Sequence, residues 1–278
     1  MLLNEGILDN WVRGNSHQAM GVIADLLYRL VAASSPNPTE RRFQQSDSIG
    51  QHGADGWLDG AMKFEPFVPE GKSWWELGVG HKPGDKATSD YRESIKEVPE
   101  DVRLQTTFIF VTPLSASKEW EFTWKEDAQS KWLAKQRKKQ EWKDVRIIDG
   151  TRLIDWILHF PAIELWLIEI INGQPVKELR EVSKCWKDIE SIGYPPPLTP
   201  KIFTINRESA CEKIDLIIKG TITQLKIETH FPDQMADFAC AFISSKPKED
   251  RIEITGRSIV VLGASGWELI AAHRQPLW

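Results

Sequence analysis

The run SWWELGV at residues 73–79 is too apolar to be the wetted face of a strand, yet it carries a carboxylate, Glu76, between Trp75 and Leu77. A run of that composition reads as a strand inside a sheet, and glutamate is almost never fully buried unless it is paired. The run therefore demands a buried strand and a partner for Glu76, and a metal ion is a sufficient partner. Its neighbours supply the rest of a reaction. Asp55 precedes a predicted strand over residues 57–64, and Lys86 follows Glu76 within ten residues, where a helix over 86–95 should begin. Cutting a phosphodiester calls for a divalent cation that neutralises developing charge and acidifies a water, and Mg²⁺ takes hard oxygen ligands such as one or two carboxylates. Asp55 and Glu76 would be those ligands, and a lysine beside them would stabilise negative charge in the transition state. Lys82 is the reserve for that role. Spacing alone leaves a plainer reading open, because Asp55-Gly56 and Asp59-Gly60 are also hairpin-turn signals. Asp59 is expected to face solvent.

The ordered motifs over residues 42–91 resemble those of the PD-(D/E)XK nuclease superfamily, and more closely the Mrr-like restriction-endonuclease-type domains at the N-terminus of bacterial anti-phage proteins, including antiviral STAND ATPases. The matching residues are Arg42-Phe43, then Gly53-Ala54-Asp55-Gly56, then Val68-Pro69-Glu70-Gly71-Lys72-Ser73-Trp74-Trp75-Glu76-Leu77-Gly78, and then Lys86-Ala87-Thr88-Ser89-Asp90-Tyr91. The resemblance extends to about Gly173. It implies an α/β fold with a restriction-endonuclease-like αβββαβ core. It also implies a site in which Asp55, Glu76 and the main-chain carbonyl of Leu77 hold Mg²⁺, with Mn²⁺ as a substitute. Gly78 stands where the superfamily at large carries its lysine, so the role is expected to have moved to Lys86. Ala54 and Val79 replace a Trp and a Thr of the group's pattern.

Composition limits the partners. A net charge of −5 over 278 residues argues against a protein that coats nucleic acid, so DNA binding has to come from a local basic surface. One such block exists. Between residues 131 and 143, Lys131, Lys135, Arg137, Lys138, Lys139 and Lys143 face one acid, Glu141. The first five are candidate phosphate contacts, although a charge run on a helix is also an ordinary solvated face. Three cysteines, Cys185, Cys211 and Cys240, are widely spaced and odd in number, which fits neither a disulfide framework nor a zinc site. They read as small hydrophobes in a reducing cytoplasm. No stretch approaches 18 apolar residues.

Along the chain, a short leader precedes an amphipathic helix through Ala19, Ile23, Leu27 and Leu30, capped by Asn15 or Ser16. His17 and Gln18 at its start are available to a catalytic edge. The Ser-Pro-rich stretch at 34–38 ends it. A polar segment then carries Arg41 and Arg42, which could touch phosphates. TTFIFVT at 106–112 is a buried-strand candidate. A helical pattern follows over 118–143, then a strand at 145–148 and helices at 153–160 and 163–171, whose Trp156 and Trp166 read as core. Residues 1–173 are taken as the nuclease-like domain and 174–198 as a connecting helix with a stiff Pro-rich linker. Residues 199–278 are taken as a second, small parallel α/β domain, with strands at 202–205, 223–228 and 258–263. The turn Gly263-Ala264-Ser265-Gly266 has the position of a phosphate loop without its lysine or its glycine pattern. The end at Pro276-Leu277-Trp278 suggests a chain cut before a larger region.

These features lead to the expectation of a Mg²⁺-dependent endonuclease acting on duplex DNA, an effector domain of a larger cytoplasmic defence protein that works as a homo-oligomer without membrane contact. A nuclease fold kept as a silent module for nucleic-acid binding or assembly is the alternative that Gly78 suggests. A carboxylate-pair glycan hydrolase leaves the lysine and the basic block without a task.

Overall fold

The computed structural model describes residues 3–35, 37–44, 53–115, 124–192, 197–231 and 234–272. They form two compact units, one of Leu3–His159 and one running from Phe160 onward.

The first unit runs α1 (Glu5–Gly14), α2 (Ser16–Ser34), β1 (Glu40–Phe43), β2 (Gly56–Gly60), β3 (Gly71–Leu77), α3 (Pro83–Glu97), α4 (Glu100–Arg103), β4 (Thr106–Val111), α5 (Glu126–Lys139), β5 (Asp144–Ile148) and α6 (Gly150–Ile157). Its strands make one five-stranded sheet in chain order. β1, β2 and β3 pair antiparallel, whereas β3, β4 and β5 pair parallel. β3 is therefore the seam between the two pairing modes. β4 is buried at every residue, as expected of a parallel strand covered on both faces.

Helices cover both faces. On one, Ala87, Tyr91 and Ile95 of α3, Val102 of α4, and Trp132 and Leu133 of α5 pack on Trp74, Phe108, Phe110 and Val145 of the sheet. On the other, Trp75 lies 6.1 Å from Trp156 of α6, which stacks on Phe67 at 5.3 Å and donates its indole N–H to Ser34 of α2 at 2.8 Å. Trp156 is core, as the pattern indicated.

Two segments differ from the sequence reading. The supposed leader is α1, whose Leu8, Asp9 and Val12 are buried. The polar lead-in is β1, an edge strand alternating between exposed and half-buried residues. Charged side chains on an edge discourage pairing with other chains, and the same charges hide the strand from an apolar-alternation test. Residues 116–123 lie outside the described residues; of the helix expected over 118–143, the described part is α5, Glu126–Lys139.

The second unit contains α7 (Pro161–Asn172), β6 (Leu179–Glu181), α8 (Val182–Ile192), α9 (Lys201–Thr204), α10 (Glu208–Ile218), α11 (Gln234–Ser244), α12 (Lys248–Arg257), β7 (Ile259–Val261) and α13 (Ala264–Ala271). The expected small parallel α/β unit is not what the described residues form. Among the described residues its sheet is a two-stranded antiparallel pair of β6 and β7. Residues 202–205 fall largely in a helix, because a four-residue apolar run has no decisive period and Pro200 before it sits at φ −53°, ready for helical continuation. Residues 223–228 alternate correctly but have no described strand beside them, and form no regular element. Of the segment read as a connector, β6 pairs with β7, and Cys185, Trp186 and Ile189 of α8 pack on Cys240, Ala241 and Ile243 of α11. Residues 193–196 of the Pro-rich stretch and 276–278 at the end lie outside the described residues.

Candidate active site

Glu76 sits at the end of β3 with 8% of its surface exposed. Trp74, two residues earlier and so on the same face, donates its indole N–H to Glu76 Oε1 at 2.6 Å. Asp55 lies just before β2. Its carbonyl accepts the Gln44 N–H at 2.9 Å, and its Oδ2 accepts the Leu77 N–H at 2.8 Å. The N–H and C=O of one strand residue point to the same edge, so the Leu77 carbonyl is turned toward Asp55 as well. The sheet register thus brings Asp55 to the adjacent positions Glu76 and Leu77, 21 and 22 residues farther along the chain.

Their electrostatics are those of a crowded acid pair. Burial pushes Glu76 up to about 9, and the Asp55 and Asp90 charges add to that, against the Trp74 bond and Lys86. Burial also raises Asp55, against the Leu77 N–H, Lys86 and a hydrogen bond to the Glu76 carboxyl. At neutral pH Glu76 therefore keeps its proton, and the two carboxyls are not both charged.

Lys86 occupies the first turn of α3 and reaches Asp90 Oδ1, one turn on, at 2.6 Å. Burial works against its charge, but Asp90, Asp55 and Glu76 outweigh burial and hold its pKa above the ordinary lysine value. Its stem explains Gly78. A Cβ on Gly78 would lie 2.6 Å from the Phe110 ring and 3.2 Å from Lys86 Cγ, so Lys86 runs past the place where a side chain at position 78 would begin. Lys82 is exposed at the N-cap of α3, and the lysine acting on Asp55, Glu76 and Asp90 is Lys86.

Asp90 was missed. Its carboxylate is 4% exposed, and its Oδ2 is buried with no hydrogen-bond partner. It stands in the Lys86–Tyr91 motif, four residues after Lys86, where a helical acid-base pair reads as surface decoration. Trp74 was missed too, although its place two residues before Glu76 put it on the carboxylate's face.

Other candidates lie elsewhere. Asp59 is half-buried within β2, opposite Lys72. His17 and Gln18 are exposed at the start of α2. Arg41 lies over the Tyr28 ring at 5.6 Å, and Arg42 pairs with Glu40 at 2.9 Å. In the basic block, Lys131, Lys135 and Lys138 are exposed at helical spacing on α5. Arg137 is committed to the fold, donating to the Val145 carbonyl at 2.8 Å and to Asp144 at 3.0 Å. Lys139 lies 5.0 Å from the Tyr91 ring centre and 3.6 Å from Glu141.

The donors suit a hard cation. Asp55, Glu76 and the Leu77 carbonyl are all oxygen ligands, and Asp90 adds an unbonded buried oxygen. Among the described residues no three His, Cys, Asp or Glu side chains are grouped to hold an ion unaided. Mg²⁺ tolerates this, since it keeps several waters and needs only one or two carboxylates.

In the second unit the Gly263–Gly266 turn already has an anion. Glu178 Oε2 accepts the Ser265 N–H at 2.9 Å, the Ser265 hydroxyl at 2.5 Å and the Gly266 N–H at 3.3 Å. The chain's own carboxylate fills the place a phosphate would take.

No family model, curated protein or solved structure matches the chain. No helix among the described residues is long and apolar enough to cross a membrane.

Proposed function

We propose that the unit of Leu3–His159 is a metal-dependent DNA endonuclease of the PD-(D/E)XK, Mrr-like type, the effector part of a larger bacterial anti-phage protein. The observation that carries this reading is the meeting of Asp55, Glu76 and Lys86 at the end of β3, with the Lys86 stem beside Gly78. The element order from α2 through β1, β2, β3 and α3 to β4 supports it by agreeing with the αβββαβ core that the motifs imply.

Asp55, Glu76 and the Leu77 carbonyl would hold Mg²⁺ or Mn²⁺, which when bound acidifies a water and neutralises charge on the phosphate. Lys86, kept protonated chiefly by Asp90 and Asp55, orients that water and donates to the developing negative charge. Lys131, Lys135 and Lys138 offer a row of cations for a phosphate backbone. Cutting both strands of a duplex requires two such clefts, so activity is expected to depend on homo-oligomerisation. One feature favours a silent module instead: burial pushes the Glu76 carboxyl up to about 9, which makes the acid pair tolerable without a cation.

Cleavage of supercoiled plasmid with Mg²⁺ or Mn²⁺ tests the reading, with Asp55→Asn, Glu76→Gln and Lys86→Met compared at equal concentration. Cutting by the unaltered chain that falls at least a hundredfold in all three supports it. Cutting that survives in Glu76→Gln assigns the activity elsewhere. No cutting together with no cation-dependent thermal stabilisation supports the silent module.

A further inference from the structure

The Lys86–Asp90 pair is not an ordinary helix-surface ion pair. In such pairs both side chains are wet and the coupling is worth only about 0.3–0.5 kcal/mol. Here the acid is 4% exposed while the lysine remains 47% exposed. One Asp90 oxygen binds Lys86, and the other is buried with no donor. The nearby Ser94 hydroxyl does not supply a donor, because it donates to the main-chain carbonyls of Asp90 and Tyr91 rather than to the carboxylate. Asp90 also holds Lys86 at 2.6 Å, and the stem of Lys86 passes beside Gly78 at the end of β3, so the pair borders the strand end that carries Glu76 and Leu77. Buried polar atoms in folded proteins are nearly always satisfied. An acceptor left open beside two candidate ligands is set to receive a donor that arrives with a ligand.

We propose that Asp90 is the third carboxylate of the site, fixing Lys86 through Oδ1 and accepting a hydrogen bond from a cation-bound water through Oδ2. It is a positioning residue. The second half rests on the metal-site reading above, whereas the first half stands on the fold alone. Outer-shell partners of this kind typically change metal affinity by about 10–100-fold when removed.

The test uses the full chain, with Asp90→Asn as the near-isosteric change and Asp90→Ala beside it, and far-UV circular dichroism reporting the fold of each. Lys86 is labelled with a limiting amine-acylating reagent and read by peptide mass spectrometry against the other lysines, and thermal stability is titrated with Mg²⁺ and Mn²⁺. The expected result for Asp90→Asn is several-fold faster labelling at Lys86 alone and a cation midpoint raised at least tenfold. In a Glu76→Gln background, Asp90→Asn should move the midpoint no further. Unchanged labelling of Lys86 overturns the first half. A cation response that Asp90→Asn leaves intact overturns the second half while the metal-site reading survives. If the unaltered chain shows no cation response, the metal-site reading fails and takes the second half with it, and the labelling still decides the first.

Discussion

Glu76 holds a proton that any cation must displace. Its folded-state pKa, about 9, lies above its ordinary value of 4.5, so between those pH values the folded chain binds more protons than the unfolded one. The stability tied to that proton is fully present below pH 4.5 and is lost as pH rises through about 9. Without divalent cations, urea unfolding at pH 5, 7 and 9 should therefore show falling stability that Glu76→Gln largely flattens. At pH 9 the glutamine variant should be the more stable by about 1–3 kcal/mol, the usual cost of an uncompensated buried polar group. Cation affinity should move the opposite way and rise with pH, because binding releases that proton. Calorimetric titration in two buffers of different ionisation enthalpy would count the protons released. Glu76 was legible as a site residue because apolar neighbours removed the solvated alternative. Asp90 was not, because nothing in an acid one turn from a lysine distinguishes a wet pair from a dry one until the surrounding helices are in place.

Two elements make separable predictions. A methyl at Gly78 meets a ring of the sheet core and the Lys86 stem, so Gly78→Ala should destabilise by about 1–3 kcal/mol, as overpacking does, and Gly78→Lys should fail to restore a Lys86→Met variant. On α5, converting Lys131, Lys135 and Lys138 to Glu should leave thermal stability nearly unchanged. It should weaken DNA binding and flatten its salt dependence by about 0.9 in log-log slope per lost phosphate contact. Arg137→Ala should instead lower stability by about 1–2 kcal/mol through its lost bonds to Val145 and Asp144, a difference visible in a melting curve. The sequence showed the block but not this division of labour, which depends on where β5 lies beside the helix. β4 and α2 were readable because burial on both faces or along one stripe writes itself into composition. β1 was unreadable because an edge strand owes its place to a partner rather than to its own residues. The IFTI run was misread for a related reason, since four apolar residues fit a strand and a helix turn equally.

The two compact units predict two calorimetric transitions. Glu76→Gln should shift only the transition of Leu3–His159. Trp186→Ala, which empties part of the α8–α11 core, should lower only the other, by about 3–5 kcal/mol. A single transition that responds to both substitutions would show the units unfolding together. Within the first unit, the candidate cluster is drawn from one continuous stretch between Asp55 and Asp90, whereas β4 and β5 join the sheet beside it from farther along the chain. Folding slows as contacts become more distant in sequence, and synthesis delivers the chain from the N-terminus. The hairpin of β2 and β3 and the helix after it therefore belong to the early, local phase of folding. What arrives later determines how dry the acids become, not which acids meet.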